Sequence, residues 1–125
     1  MCAACSIAVA ADTYLGDAIK TPSYSRALTN LLKGSGNLPS WTRQVLSTRG
    51  DYVGSTVDYV TVEGTRYELY NACKPHDCGD NALEVMFAPN GAQAWGALKV
   101  NGGSISYLGA PSPAQQSVLK GALQP

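Results

Sequence analysis

The single histidine of this 125-residue chain, His76, lies in the run Asn71-Ala72-Cys73-Lys74-Pro75-His76-Asp77-Cys78-Gly79-Asp80, between two of the four cysteines. An imidazole, a carboxylate and two thiols this close together could hold a metal, exchange disulfides or attack a carbonyl. Each of these chemistries sets a spacing requirement. A zinc centre takes four ligands, commonly Cys-x₂₋₄-Cys pairs completed by further Cys or His. Cys73, His76, Asp77 and Cys78 crowd into one short loop, and no second histidine helps. A metal-binding domain built on these four residues is the rival reading. A thioredoxin-like site needs Cys-x-x-Cys at a helix start within a βαβ unit, whereas four residues separate these cysteines. Cys78 paired with His76 as nucleophile and base fails on geometry, because residues two apart on a tight ring are poorly placed for in-line proton transfer.

In an oxidising compartment Cys73 and Cys78 should bond to each other. A ring of about six residues gains roughly 2 kcal/mol from loop entropy, too little to hold a fold. The bridge therefore has a local task. It stiffens a protruding tip that presents Lys74, His76 and Asp77 outward, with Pro75 and Gly79 as its turn residues. Stiffening lowers the entropy lost when such a tip enters a cleft. The plainer alternative is a structural disulfide loop whose histidine is merely exposed.

Strands must flank this segment. From Ser55 the hydrophobic period is two: Val57, Tyr59 and Thr61 alternate with Asp58, Val60 and Val62. Glu63-Gly64-Thr65 turns the chain and Arg66–Cys73 returns it. Ala82–Ala88 forms a further strand with Leu83, Val85 and Phe87 on one face, and strands near Gln93–Val100 and Ser104–Leu108 complete a meander. Asn101-Gly102 favours a type I′ turn because both positions accept positive φ. Ahead of the strands, Thr21-Pro22 opens a helix whose stripe is Tyr24, Ala27, Leu28, Leu31 and Leu32, closed by Gly34 and Gly36. A shorter helix over Pro39–Ser47 turns Trp41, Val45 and Leu46 inward. Ser112-Pro113-Ala114-Gln115 has capping-box spacing and opens a last helix carrying Ala114, Val118, Leu119 and Ala122. Helices, then hairpins, then a helix predict α+β architecture: an antiparallel sheet of about five strands with helices packed on it and a disulfide-closed protruding loop. Period-two placement predicts Glu63, Glu68 and Glu84 as solvent-facing, without a carboxylate motif for catalysis.

Composition narrows the function. Nine Lys+Arg balance nine Asp+Glu, and charged residues are 14% of the chain. That disfavours a nucleic-acid reader, which needs clustered excess cation, and no apolar run approaches the 18 or more residues of a membrane span. No cofactor motif is present. Residues 1–10 (MCAACSIAVA) carry no charge, and Ala8-Val9-Ala10 has the small-x-small pattern that precedes signal-peptidase cleavage. The expected organisation is a residual signal or disordered N-terminus over 1–10 and one domain over 11–125.

Cys73-Lys74-Pro75-His76-Asp77-Cys78 reads CKPHDC and resembles the signature loop of the Ivy family, the inhibitors of vertebrate lysozyme. The surrounding order of helix, hairpins and closing helix is similar over Ala11–Pro125. The resemblance implies a periplasmic, non-enzymatic protein of a Gram-negative bacterium that binds c-type lysozyme and blocks its active cleft. It gives His76 the central role, with Asp77 bonding polar groups that line the cleft, Lys74 favouring approach to an acidic site, and Cys73 and Cys78 holding the geometry. Six residues cannot cover the roughly 800 Å² per partner of a stable complex, so flanking residues must contribute, with Tyr70, Asp80 and Asn81 nearest in the chain. Whether the chain forms a homo-oligomer is left open.

Overall fold

A computed structural model of the chain describes residues 13–47 and 52–123. The expected leader over residues 1–10, with Cys2 and Cys5, lies outside them. The elements in order are α1 (Leu15–Ala18), α2 (Pro22–Lys33), a 3₁₀ helix (Ser40–Leu46), β1 (Val53–Gly54), β2 (Asp58–Val62), β3 (Thr65–Cys73), β4 (Ala82–Phe87), a 3₁₀ turn (Pro89–Gly91), β5 (Ala94–Lys99), β6 (Ile105–Leu108) and α3 (Pro113–Leu123).

The strands form one antiparallel sheet in the order β1-β3-β4-β5-β6, and β2 also pairs with β3. Strand β3 is long enough to take two short partners on one edge. Its first half pairs with β2 from Thr65 to Leu69, and its end pairs with β1 at Ala72 and Cys73. The other edge of β3 pairs with β4, from Glu68↔Phe87 to Cys73↔Ala82. Six strands therefore stand where about five were expected, the addition being the two-residue β1. The hairpin turns follow their sequences. Glu63-Gly64 has φ of 50° and 84°, and Asn101-Gly102 has 51° and 69°, the signs a type I′ turn needs.

Helices cover both faces of the sheet. On one face Tyr70, Ala72, Leu83, Val85, Phe87 and Leu98 pack with Leu15, Tyr24, Leu28, Leu31 and Val45 from α1, α2 and the 3₁₀ helix. On the other, Leu69, Cys73, Ala82, Met86 and Ala97 pack with Leu119 and Leu123 of α3. The α3 start is the expected capping box. The Ser112 N–H donates to Gln115 Oε1 (2.8 Å), and the Gln115 N–H donates to Ser112 Oγ (3.2 Å).

Two expectations are corrected. The 3₁₀ helix buries Thr42 with Val45 and leaves Leu46 exposed. Three residues per turn align positions i and i+3, whereas the expected inward set assumed a 3.6-residue turn. Glu63 is exposed at its turn, but Glu68 and Glu84 are buried. An alternating strand faces water on one side only when that side is uncovered, and here α2 lies over Glu68's face and α3 packs on Glu84's. The Tyr24 hydroxyl of α2 donates to Glu68 Oε1, joining helix to sheet through a buried polar contact. Burial, chiefly, raises the Glu68 pKa.

Gly91 has φ +69°, and a Cβ there would lie 2.7 Å from Tyr24 Cδ1 and 3.0 Å from its Cα. Gly91→Ala should therefore cost about 2–4 kcal/mol, from left-handed strain plus overpacking, read as a lower urea midpoint at unchanged slope. Gly121→Ala, on α3 with nothing within 4 Å of the new methyl, should instead raise stability by up to about 1 kcal/mol.

Candidate functional site

The loop between β3 and β4 begins and ends on buried strand residues. Cys73 closes β3 at 4% exposure, inside the α3-side core. Its sulfur bonds Cys78, which is exposed, and the two Cα atoms are 4.9 Å apart. One wall of the ring is thus fixed in the core and the other stands in solvent. The disulfide also takes both sulfurs out of any thiolate ligand set.

Inside the ring the backbone makes a tight turn. The Asp77 N–H donates to the Lys74 carbonyl (3.0 Å), with Pro75 second and His76 third at φ +65°. Proline second and a positive φ third fit a type II turn. Glycine or asparagine is the usual occupant of that third position; a histidine there bears left-handed strain of about 1–2 kcal/mol. His76 and Lys74 are exposed, and Pro75 and Asp77 are half-buried.

A second constraint lies behind the ring. Asn81 is 3% exposed. Its Nδ2 donates to Asp77 Oδ2 (2.8 Å), and its Oδ1 accepts from the Asn101 N–H (3.1 Å). Its backbone carbonyl accepts from the Lys74 N–H (3.0 Å), while the Asp80 carbonyl accepts from the Gly102 N–H (2.9 Å). The β5–β6 turn therefore braces the loop from twenty positions away in sequence.

The structure brings Cys73, Lys74, Pro75, His76, Asp77 and Cys78 together as one ring, but it does not make all three chain neighbours available for contact. Asp80 is exposed, whereas Tyr70 is fully buried and Asn81 nearly so. Tyr70 points into the face covered by α1 and α2, where its ring meets Phe87 edge-on at 5.8 Å, and Asn81 is turned inward to brace Asp77. Sequence reading missed Asn81's partner because Asn101 reads only as a turn residue.

A recess of about 880 Å³ opens at the foot of the loop, with Asp58, Asn71, Cys78, Gly79, Glu84 and Lys99 among its lining. Glu84 is 4% exposed, and its Oε1 accepts from Asn71 Nδ2 at 3.0 Å. Burial pushes its pKa up from 4.5 to about 7; the Asn71 bond opposes the rise and the Asp58 charge adds to it. The Lys99 ammonium donates to the Leu123 carbonyl at 3.4 Å.

The sequence profile of the family described as inhibitor of vertebrate lysozyme (Ivy) matches residues 24–120. An uncharacterized protein of Yersinia pestis is 31% identical over 88 residues, which cover 70% of this chain and 54% of that protein. A Pseudomonas aeruginosa protein named inhibitor of vertebrate lysozyme is 37% identical over 75 residues, covering 60% of this chain and 46% of its own. The protein of that name from Escherichia coli K12 is 31% identical over 72 residues, covering 58% and 42%. The chain spans about half the length of the curated relatives it matches.

Two stability measurements test this geometry. Asn81→Ala strands the Asn101 N–H and frees Asp77, and should cost about 1–3 kcal/mol with faster hydrogen exchange at Asp77 and Asn101. Glu84 acts through pH. Its native pKa lies above its unfolded value, so between about pH 4.5 and 7 the unfolded chain releases a proton that the native chain keeps. Stability from this group is full below that window and lost as pH rises through it. Glu84→Gln should remove the loss and be more stable than wild type at pH 8 by on the order of 2–3 kcal/mol, but not at pH 4, by urea denaturation.

Proposed function

The chain belongs to the Ivy family of inhibitors of vertebrate lysozyme, and on that premise we propose that it binds c-type lysozyme and blocks the active cleft with the Cys73–Cys78 loop. The observation that carries this reading is the exposed His76, held in a left-handed conformation on a ring closed by the disulfide. A group meant for a cleft binds best when its conformation is fixed beforehand, since little entropy is then lost on docking. The protein acts as a binding partner and performs no chemistry.

Lysozyme hydrolyses glycosides with two carboxyl groups flanking the scissile bond. One is kept protonated by an apolar pocket and the other is ionised. An imidazole between them can hydrogen-bond to both, because one ring nitrogen donates and the other accepts or donates according to protonation. Each such bond to a charged group contributes about 1.5–3 kcal/mol. Asp77 has Oδ2 engaged by Asn81 and offers Oδ1 to polar groups on the cleft wall. Lys74, exposed beside it, favours approach to an acidic site through long-range attraction. The compartment of this reading is the periplasm, supported by a disulfide that persists in oxidising surroundings and by the Ala8-Val9-Ala10 pattern.

Titration of a c-type lysozyme with the full chain, read by cell-wall lysis, tests the proposal. His76→Ala should weaken inhibition by about 2 kcal/mol or more, some thirtyfold. Its unfolding midpoint should stay close to wild type, since alanine pays a similar left-handed cost. Inhibition should also weaken in acid that protonates both lysozyme carboxyls. Full lysozyme activity in the presence of micromolar protein, or affinity rising steadily down to pH 3, would overturn the reading.

A further inference from the structure

The loop mechanism makes no use of the recess at its foot. That recess is polar at a place where a sheet is ordinarily apolar. Glu84 sits on the central strand, with Asn71 and Ala97 as its cross-strand neighbours, under the end of α3 that contributes Ala122 and Leu123 to the lining. Asn71 satisfies Glu84 Oε1, and Oε2 has no hydrogen-bond partner among the described residues. Asp58 lines the same recess from β2, close enough for its charge to bear on Glu84. Lys99, from β5, is the cation in the lining, and its ammonium is directed to the Leu123 carbonyl. Among the described residues neither carboxyl has an ion-pair partner. A buried carboxylate without a counter-charge is costly unless it is paired, so the recess is built to gain most from an incoming cation. Cys78 and Gly79 form part of its wall, so the recess is continuous with the ring that bears His76.

We propose that this recess is a second docking point for the enzyme on which the loop is seated, accepting the ammonium or guanidinium of a lysine or arginine side chain between Glu84 Oε2 and Asp58. The inference rests on the loop reading. The two carboxyls in the lining, Asp58 and Glu84, outnumber its single cation, Lys99, which gives the recess the charge to receive a positively tipped side chain. Pairing with the cation draws the proton from Glu84, so complex formation near pH 7 releases a fraction of a proton from this site. Its contribution to affinity grows as pH rises through neutrality. Among the described residues the charged groups that line the recess with Glu84 are Asp58 and Lys99; the loop and α3 contribute Cys78, Gly79, Ala122 and Leu123 to it.

Calorimetric titration of a c-type lysozyme into wild type, Glu84→Gln, Asp58→Asn and His76→Ala, at pH 6 and 8 and in two buffers of different ionisation enthalpy, tests this. Glu84→Gln should weaken binding about tenfold at pH 8 and less at pH 6, and should abolish the part of the proton release near pH 7 that His76→Ala retains. Asp58→Asn should weaken binding in the same direction, and as an exposed edge-strand change it carries the test if Glu84→Gln does not fold. Wild-type affinity and proton count in both carboxyl variants, with His76→Ala still weakened, would overturn the recess as a docking point and leave the loop standing. No binding by wild type would remove the loop reading and this inference with it.

Discussion

Strand β4 is buried at every one of its positions, Ala82 to Phe87, and the rest of the molecule is arranged around that fact. A strand sealed on both faces needs a layer of helix on each side, which α2 with its neighbours and α3 supply from opposite ends of the chain. It also needs hydrogen-bonded strands on both edges, which β3 and β5 supply. The loop that carries His76 joins β3 to this sealed strand. It therefore starts and finishes on backbone that cannot shift without opening the core, and the tip inherits the rigidity of its base.

Three constraints then act in series on a short stretch of chain. The covalent bridge joins its ends, the turn hydrogen bond folds Lys74 onto Asp77, and Asn81 ties Asp77 back to the β5–β6 turn. Each is modest alone. Together they hold an imidazole on a left-handed backbone position that residues other than glycine adopt uncommonly, which is how a small loop can offer one orientation rather than many. The polar recess beneath it shows the other side of the same packing. A sheet covered on both faces encloses any carboxyl that an alternating strand directs inward, and Glu84 is held there at the loop's foot.

Much of this was readable in the residues, wherever the governing interactions are local. The α2 stripe, the Ser112–Gln115 cap, the turn at Glu63-Gly64-Thr65, the positive-φ pair at Asn101-Gly102, and the Cys73–Cys78 ring each depend on residues a few positions apart. What escaped depends on distance in sequence. Nothing near Glu84 or Glu68 says that a helix folds back over that side of the sheet, so alternation read as exposure. Nothing near Asn81 points to Asn101. Leu46 and Thr42 exchanged roles for a different reason, because the short helix winds with a tighter period than the one assumed. The candidate site was thus legible as a list of residues, while its brace and the recess at its foot were not.

The turn at Lys74-Pro75 has one more outcome. An exposed lysine on a projecting loop is the kind of place where chains are cut. Cleavage requires several residues to lie extended in the protease groove, with the main chain pairing as an added strand. The ring cannot open to that shape while its bridge is intact, and the bond after Lys74 leads into the tertiary amide nitrogen of Pro75, which has no hydrogen to donate. The same closure that orients the histidine thus makes the loop's lysine a poor point of digestion, and a chain cut less often there lasts longer.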